Sequence, residues 1–286
     1  MGKDMQLLPD MHEFESLYTM NIVTVVQART SSSRLPNKVL FPLYGEPLLI
    51  RIIERISRAT LAGTIVVATS QKEEDNIIEN LCISNEIECF RGHLTDLLDR
   101  HYQLAVKYAA DAVVKIPSDC PLIDPFIIDQ TIRYYIERYP ALDFVSNLHP
   151  ASYPDGNDVE IMSFGALETA WKEAKRSFER EHTTPYIWEN PDKFRIGNVS
   201  WETGLDFSAS HRWTIDYEED YQFILKVYEK LFPKNPSFGL YDILSLIEKE
   251  PELRLINQNY LGNYWYMHHL NELKTITEYK NKLNIS

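Results

Sequence analysis

The first half of the chain alternates two apolar rhythms. Short, mainly apolar runs at 22–26, 64–68 and 112–116 are rich in Val and Ile, and a further short one lies at 87–90. They are too short for buried helices and predict strands covered on both faces. Between them, apolar residues recur at helical spacing: Leu48, Leu49, Ile52, Ile53 and Ile56, then Ile77, Ile78 and Leu81, then a stretch over 95–110 with Thr95 as its expected N-cap. Strand and helix in alternation predict a parallel sheet with helices on both faces. The strand ends then meet at one rim, where Gln27, Thr69, Arg91 and Asp119 each follow a strand.

From residue 125 the rhythm loosens. A helix is expected over 125–139, with Asp124 as its cap before Pro125, and a strand over 143–146. The turn cluster Tyr153-Pro154-Asp155-Gly156-Asn157-Asp158 precedes a short apolar run at 159–162, a helix over 165–175 and short strands at 194–199 and 213–215. Residues 143–215 read as a small mixed lobe over the rim, closed by helices at 221–231 and 240–249. The stretch 257–283 has the composition of a further helix, and 1–20 shows no strand pattern. The expected division is an arm at 1–20, dispensable for activity, an α/β domain at 21–235 and a helical extension at 236–286.

The polar pattern breaks most sharply after the first strand. Residues 22–26 empty into Gln27, Arg29, three serines, Arg34 and Lys38, and Pro36 ends any regular element by fixing φ. Small residues and cations beyond a buried strand predict a loop whose amides and charged heads hold phosphate, although a plain solvated loop has the same composition. It is not a Walker A loop, because Lys38 lacks the preceding glycines. The formal net charge of -13 sharpens the contrast and argues against nucleic acid or an anionic membrane as partner. No apolar run approaches the roughly 18 residues that span a bilayer, so membrane insertion is not expected. The first residues show no basic region followed by an apolar one, so a signal peptide is not expected. Cys82, Cys89 and Cys120 are too few and too irregularly spaced for a disulfide framework or a zinc site, which predicts free thiols in a reducing cytoplasm.

Two carboxylates stand out. Asp119 follows the strand at 112–116 and Asp216 the expected strand at 213–215. A strand-end aspartate is a helix cap or a Mg²⁺ ligand, and Mg²⁺ is typically held by one or two carboxylates plus substrate phosphates. Far apart in sequence, both can reach one rim. Asp124 reads as a cap, and Asp220, at a helix start, as structural. Trp188, Trp201 and Trp213 read as core. His268 and His269 are adjacent on the last expected helix, cannot face one another and read as surface. No Ser-His-Asp or Cys-His spacing supports covalent catalysis.

The strings themselves carry a resemblance. Gln27-Ala28-Arg29, Ser33-Arg34-Leu35-Pro36, Lys38 and Leu40 resemble the signature loop of the cytidylyltransferases that make CMP-activated sugars, the acylneuraminate and KDO cytidylyltransferase family. The Gln-Ala-Arg opening resembles its SpsF branch, of spore coat polysaccharide biosynthesis. Residues 115–124 resemble the family's segment after its central strand, and 211–216 with Asp220 its Arg-hydrophobic-Thr-x-Asp end. Residues 153–160 and 180–186 resemble the branch's lobe segments, with Asn157 where Leu is common.

Over about 21–235 the resemblance implies a Rossmann-like nucleotidyltransferase fold, α/β with a mostly parallel mixed sheet. It implies Mg²⁺-dependent coupling of CTP to a sugar-acid or related polysaccharide-precursor acceptor, releasing pyrophosphate, in a cytoplasmic homodimer. Arg29, Arg34 and Lys38 would neutralise the β- and γ-phosphates. Gln27, Ala28, Ser33, Ala68, Thr69, Arg91, Gly92 and Ser118 would bind the nucleotide, and Asp119 and Asp216 the metal. Tyr153, Asp155, Glu160, Glu181, His182 and Arg212 would bind the acceptor. Arg212 is open between a carboxylate or phosphate on the acceptor and an ion pair with Glu181. Two other readings stand beside this one: transfer to a phosphorylated acceptor, giving a nucleoside-diphosphate product, and a non-catalytic nucleotide-binding partner of glycan assembly. A binding module has no need of two rim aspartates.

Overall fold

The structure, a computed structural model, describes residues 20–262 together with 269 and 271–273. The expected N-terminal arm and nearly all of the expected helix over 257–283 lie outside the described residues. The strands in chain order are β1 (Ile22–Gln27), the two-residue hairpin arms β2 (Pro42–Leu43) and β3 (Glu46–Pro47), β4 (Thr64–Ser70), β5 (Glu88–Gly92), β6 (Ala112–Pro117), β7 (Phe144–Ser146), β8 (Glu160–Ser163) and β9 (Ile196–Asn198). The helices are α1 (Leu48–Ile56), α2 (Asn76–Ser84), α3 (Leu97–Lys107), α4 (Pro125–Ile136), α5 (Phe164–Glu173), α6 (Ser177–His182), α7 (Pro185–Trp188), α8 (Glu218–Leu231) and α9 (Leu240–Lys249).

Seven strands form one sheet in the order β5-β4-β1-β6-β8-β7-β9, in which β8 alone runs against its neighbours. The chain steps outward from β1 to β4 and β5, then crosses back to place β6 on the other side of β1. That reversal opens a crevice beyond the carboxyl ends of β1 and β6, the place where open α/β sheets bind ligands. The period of the strand explains the two layers. Val23 and Val25 point to the face covered by α3, α5, α6 and α7, while Ile22 and Val26 point to the face covered by α1, α4, α8 and α9.

Two expected elements differ. The helix after β5 begins at Leu97, and its cap is Asp96, whose carboxylate accepts the Asp99 amide at 2.9 Å, not Thr95. Residues 213–215 form no strand. Arg212 makes a single bridge to Asp155, and the next residues hang on the Asp119 carbonyl, so the segment is held by loop ends instead of a sheet edge.

The far side of the core is locked by buried polar groups. Arg55, on α1, is 2% exposed and donates to the carbonyls of Leu122, Ile123 and Phe238, tying the β6–α4 and α8–α9 connections together. Asp124 caps α4 through the Phe126 amide at 2.8 Å and also accepts the Leu240 amide at 2.5 Å at the start of α9. A lost N-cap typically costs about 1 kcal/mol, and a second buried amide left without an acceptor adds about 1–3 kcal/mol. Asp124→Ala is expected to destabilise the protein by about 2–4 kcal/mol in urea unfolding, on those two grounds. A loss below about 0.5 kcal/mol would show that water replaces the carboxylate at both helix starts.

Candidate active site

The loop after β1 is shaped by a residue in the short turn that follows the neighbouring strand β4. Asp75 is fully buried and accepts the Thr30 amide and hydroxyl, each at 2.8 Å, and the Ser70 hydroxyl. Burial opposes its charge, but these bonds hold its carboxyl below the usual range. The Asn37 amide returns to the Thr30 carbonyl at 2.8 Å, and Asn37 takes the left-handed conformation at φ 61°, so the loop closes on itself. The turn delivers Lys38 inward, at 8% exposure, while Arg34 stays half-exposed.

Lys38 is where the distant parts meet. Its Nζ lies 3.1 Å from Asp119 Oδ2, 3.1 Å from Asp216 Oδ1 and 2.5 Å from the Ile215 carbonyl. The backbone supports the same junction, because the Ile215 amide donates to the Asp119 carbonyl at 2.8 Å and the Thr214 hydroxyl to it at 3.1 Å. Burial pulls the Lys38 ammonium down, yet Asp119 and Asp216 outweigh it and hold the pKa above its ordinary value. Asp216 has further cations, Arg34 at 2.6 Å and Arg212 at 3.2 Å. Burial opposes its charge too, but Lys38 and Arg34 keep it ionised far into acid. Asp155 and Asp158 lie in the same cleft. Burial raises both carboxyls, and neighbouring carboxylates raise them further, with Asp158 reaching about 7.

The cleft has a volume of about 510 Å³. One stretch of its wall carries the cations Arg29, Arg34, Lys38 and Arg100 with Ser32, Ser33 and Ser118. Another carries His149, Glu160, Glu181, His182, Trp188 and His269, and the two stretches adjoin where α6 packs on α3. Glu160 is 3% exposed and bonded to Lys115 Nζ, with His149 Nε2 at 3.6 Å. Burial works against its charge, but Lys115 and His149 hold the carboxyl at about 2. The His149 ring stacks on Trp188 with centroids 4.4 Å apart. Between α6 and α7 the chain turns through Thr183 at φ 74° and ψ -57°, with the Thr184 amide on the His182 carbonyl at 2.9 Å. This is the strained form of the γ-turn, costly for a β-branched residue, and it sets His182 and Trp188 on one wall. Gly156 permits another close approach: at φ 104° a Cβ would lie 2.7 Å from the Trp213 carbonyl carbon, so only glycine lets the 153–158 turn press on the 213–214 segment.

The comparisons with known proteins bear on this geometry. The sequence model of a family described as cytidylyltransferase matches residues 23–263. The chain belongs to the cytidylyltransferase family. An uncharacterised protein of Methanocaldococcus jannaschii is 36% identical over 84% of this chain and 96% of its own length. The spore coat polysaccharide biosynthesis protein SpsF of Bacillus subtilis is 29% identical over 81% of this chain and 96% of its own. A solved cytidylyltransferase from Leptospira borgpetersenii superposes with a TM-score of 0.78 at 30% identity, covering 82% of this chain and 96% of that one. The fold is also that of a CMP:2-keto-3-deoxy-manno-octonic acid synthetase, with a TM-score of 0.55 at 15% identity over 73% of this chain and 99% of that one.

Within this cytidylyltransferase, most of the residues expected at the site line one cleft. Gln27, Ala28, Arg29, Ser33, Arg34, Lys38, Ser118, Asp119, Tyr153, Asp155, Glu160, Glu181, His182, Arg212 and Asp216 all do. Ala68, Thr69, Arg91 and Gly92 do not. Their strand ends serve the loop instead: the Ala68 carbonyl takes the Ala28 amide at 3.0 Å, and Arg91 ties the Ser70 carbonyl to Glu79 and Asn76. Thr69 is fully buried. Gly92 leaves room for Arg100, whose Cγ would stand 2.7 Å from a Cβ there. Arg212 is engaged by carboxylates of its own chain. Its guanidinium meets Asp220 at 2.9 Å, Asp155 at 3.2 Å and Asp216 at 3.2 Å, so it knits the lobe to the rim. The Tyr153 hydroxyl likewise turns to Gln130 at 2.7 Å.

Sequence reasoning missed Arg100, Lys115, His149, Asp158 and His269. Arg100 sits inside an amphipathic helix, where a cation reads as surface, yet it is 1% exposed and bonded to the carbonyls of His93 and Leu94. Lys115 had a legible signal, being a lone charge inside an apolar strand. Breaking a buried ion network by removing one partner typically costs about 3–5 kcal/mol. Arg212→Met is expected to destabilise the fold by that amount in denaturant unfolding, about 3–5 kcal/mol, whereas Arg29→Met should change stability by less than about 0.5 kcal/mol. Equal effects would show that the Arg212 network is replaceable by solvent.

Proposed function

We propose that this cytidylyltransferase couples CTP to a hydroxylated sugar acceptor, with a sugar acid as the leading class, releasing pyrophosphate. The observation that carries the reading is the meeting of Asp119 and Asp216 on Lys38 at the mouth of the β1–β6 crevice, beside the cationic loop. Support for the acceptor class comes from a 3-deoxy-manno-octulosonate cytidylyltransferase of Chlorobaculum tepidum, 34% identical over 49% of this chain and 55% of its own length. The SpsF relative supports a place in polysaccharide assembly.

In this reading an acceptor oxygen attacks the α-phosphorus of CTP in line. The new P–O bond forms as the α–β anhydride bond breaks, and pyrophosphate leaves. Arg29 lines the cleft without an ion pair among the described residues and is ready to take phosphate oxygens. Arg34 and Lys38 rest on carboxylates and exchange them for the β- and γ-phosphates when the nucleotide arrives. Preorganised cations of this kind act where charge develops on the leaving group. The wall with Glu160, His149 and His182 offers carboxylate and imidazole groups to sugar hydroxyls.

The donors present fit a divalent cation. Among the described residues no three side chains converge as ready ligands, but Asp119 and Asp216 are hard oxygen donors, and Asp155 and Asp158 line the same cleft. Two carboxylates completed by phosphate oxygens and water is the usual Mg²⁺ arrangement. Asp119 and Asp216 would hold Mg²⁺, which polarises phosphoryl oxygens and lowers the pKa of a bound hydroxyl. A phosphorylated acceptor loses its one dedicated support, because Arg212 is held by three aspartates. A non-catalytic role gives no reason for the aspartate pair. The homodimer and the cytoplasmic setting remain part of the proposal, and no described helix is long and apolar enough to cross a membrane.

Pyrophosphate release from CTP and Mg²⁺ across a panel of sugar acids, neutral sugars and sugar phosphates tests the reading. Release with a non-phosphorylated member is expected, and release confined to sugar phosphates would overturn it. Asp119→Asn and Asp216→Asn are each expected to lower kcat by about 10²–10³-fold, the scale for losing one preorganised charge-stabilising group. Near-normal turnover in either would remove that residue from the metal site. Lys38→Met should also lower kcat, yet it should raise the affinity of the nucleotide-free protein for Mn²⁺, read by electron paramagnetic resonance. An unchanged Mn²⁺ affinity would mean that the ammonium does not compete for the carboxylates.

A further inference from the structure

The family match ends at residue 263, yet one side chain beyond it reaches the cleft. His269 lines the cleft, its ring edge-on to His182 with centroids 4.5 Å apart and 5.3 Å from Phe178. Independent contacts fix it there. Leu273 is buried in the core under α5, α6 and α7. The Glu272 carbonyl accepts Arg176 Nη1 at 2.5 Å, and the Glu272 carboxylate takes His269 Nδ1 at 2.6 Å. Arg176 is itself held by Glu179 at 2.8 Å and Glu189 at 2.6 Å, so the short segment rests on a rigid post.

The groups around His269 decide what it can meet. A triphosphate belongs with Arg29, Arg34 and Lys38 on the loop after β1. The wall around His269 and His182 presents imidazoles, Trp188 and carboxylates, and Lys115 there is paired with Glu160. Such a surface disfavours phosphate and suits a sugar: ring nitrogens bond hydroxyls, and flat rings cover C–H faces. The Glu272 carboxylate at Nδ1 orients the His269 ring.

We propose that His269, supplied from beyond the family-matched region, is an acceptor-specificity residue that pairs with His182 to bind the hydroxyls of the sugar. The proposal rests on the assignment of this wall to the acceptor. It makes acceptor choice partly a property of a segment that the core of the family does not define.

The test is steady-state kinetics of the full chain with the best-converted sugar of the panel above, varying sugar and CTP in turn. His269→Ala is expected to raise KM for the sugar about tenfold, to leave KM for CTP within twofold, and to change the ranking of sugars. His269→Gln, which keeps a hydrogen-bonding group, should recover part of the loss. Glu272→Gln, which keeps the segment but not the charge on Nδ1, should give a smaller rise in sugar KM. Sugar KM and ranking within twofold of wild type in His269→Ala, or a rise in KM for CTP alone, would overturn the assignment while leaving the cytidylyltransferase reading intact. Absence of turnover by the wild-type protein with every sugar, alongside CTP binding seen in calorimetry, would remove the acceptor reading itself. Circular dichroism of each variant separates a lost contact from a lost fold.

Discussion

Everything at the mouth of the crevice depends on one ammonium group. Asp119 ends a strand in the middle of the sheet, and Asp216 lies almost a hundred residues later in a segment with no strand of its own. Two carboxylates brought this close repel by a few kcal/mol at the effective dielectric of a half-buried site. Lys38 removes that repulsion and adds a bond to the Ile215 carbonyl, so the cation that opposes the charge also fixes the backbone. Arg212 does the same from the other side, gathering Asp155, Asp216 and Asp220. In the proposed reading the site holds both kinds of charge in reserve against each other, and a nucleotide that draws Lys38 and Arg34 to its phosphates would free the carboxylates for a cation.

The rigidity of that arrangement comes from polar groups with little exposure. Asp75 shapes the loop from below, Asp124 joins two helix starts, and Arg55 joins three carbonyls. Each is a buried charge whose bonds are satisfied, the condition under which burial is tolerated. The strained turn at Thr183 and the glycine at 156 are local departures from easy backbone geometry. Both lie where the lobe meets the cleft, and strain of this kind persists where surrounding packing over-determines the chain.

The lining of the cleft comes from two kinds of element. Arg29, Arg34 and Lys38 stand on the loop after β1, which the sheet and Asp75 fix. His149, His182, Trp188 and His269 stand on loops and two short helices. In the proposed reading, change in the second group would alter the acceptor recognised without disturbing the groups placed on phosphate, a separation common where loops carry function on a rigid frame.

Much of this was legible in the sequence, for a reason that is local. Strands buried on both faces are mainly apolar along their whole length, so β1, β4 and β6 declared themselves, and their alternation with amphipathic helices dictated a parallel sheet. That sheet brings its strand ends to one rim, which is why Gln27, Arg29, Lys38 and Asp119 could be placed before any coordinates. What tertiary structure alone decided was partnership. Arg212 and Arg91 look like ligands for an anion, but a guanidinium bonds whichever acceptors its neighbours offer, and here those are aspartates and carbonyls. Arg100 looks like helix surface, and its burial follows from the space left by Gly92. His269 looks like a surface residue on a terminal helix, and only the docking of Leu273 and Glu272 carries it to the cleft. Sequence fixes which groups a chain owns and the periodicity of its elements. Which charge meets which is set by contacts between residues far apart in the chain, and no local pattern encodes them.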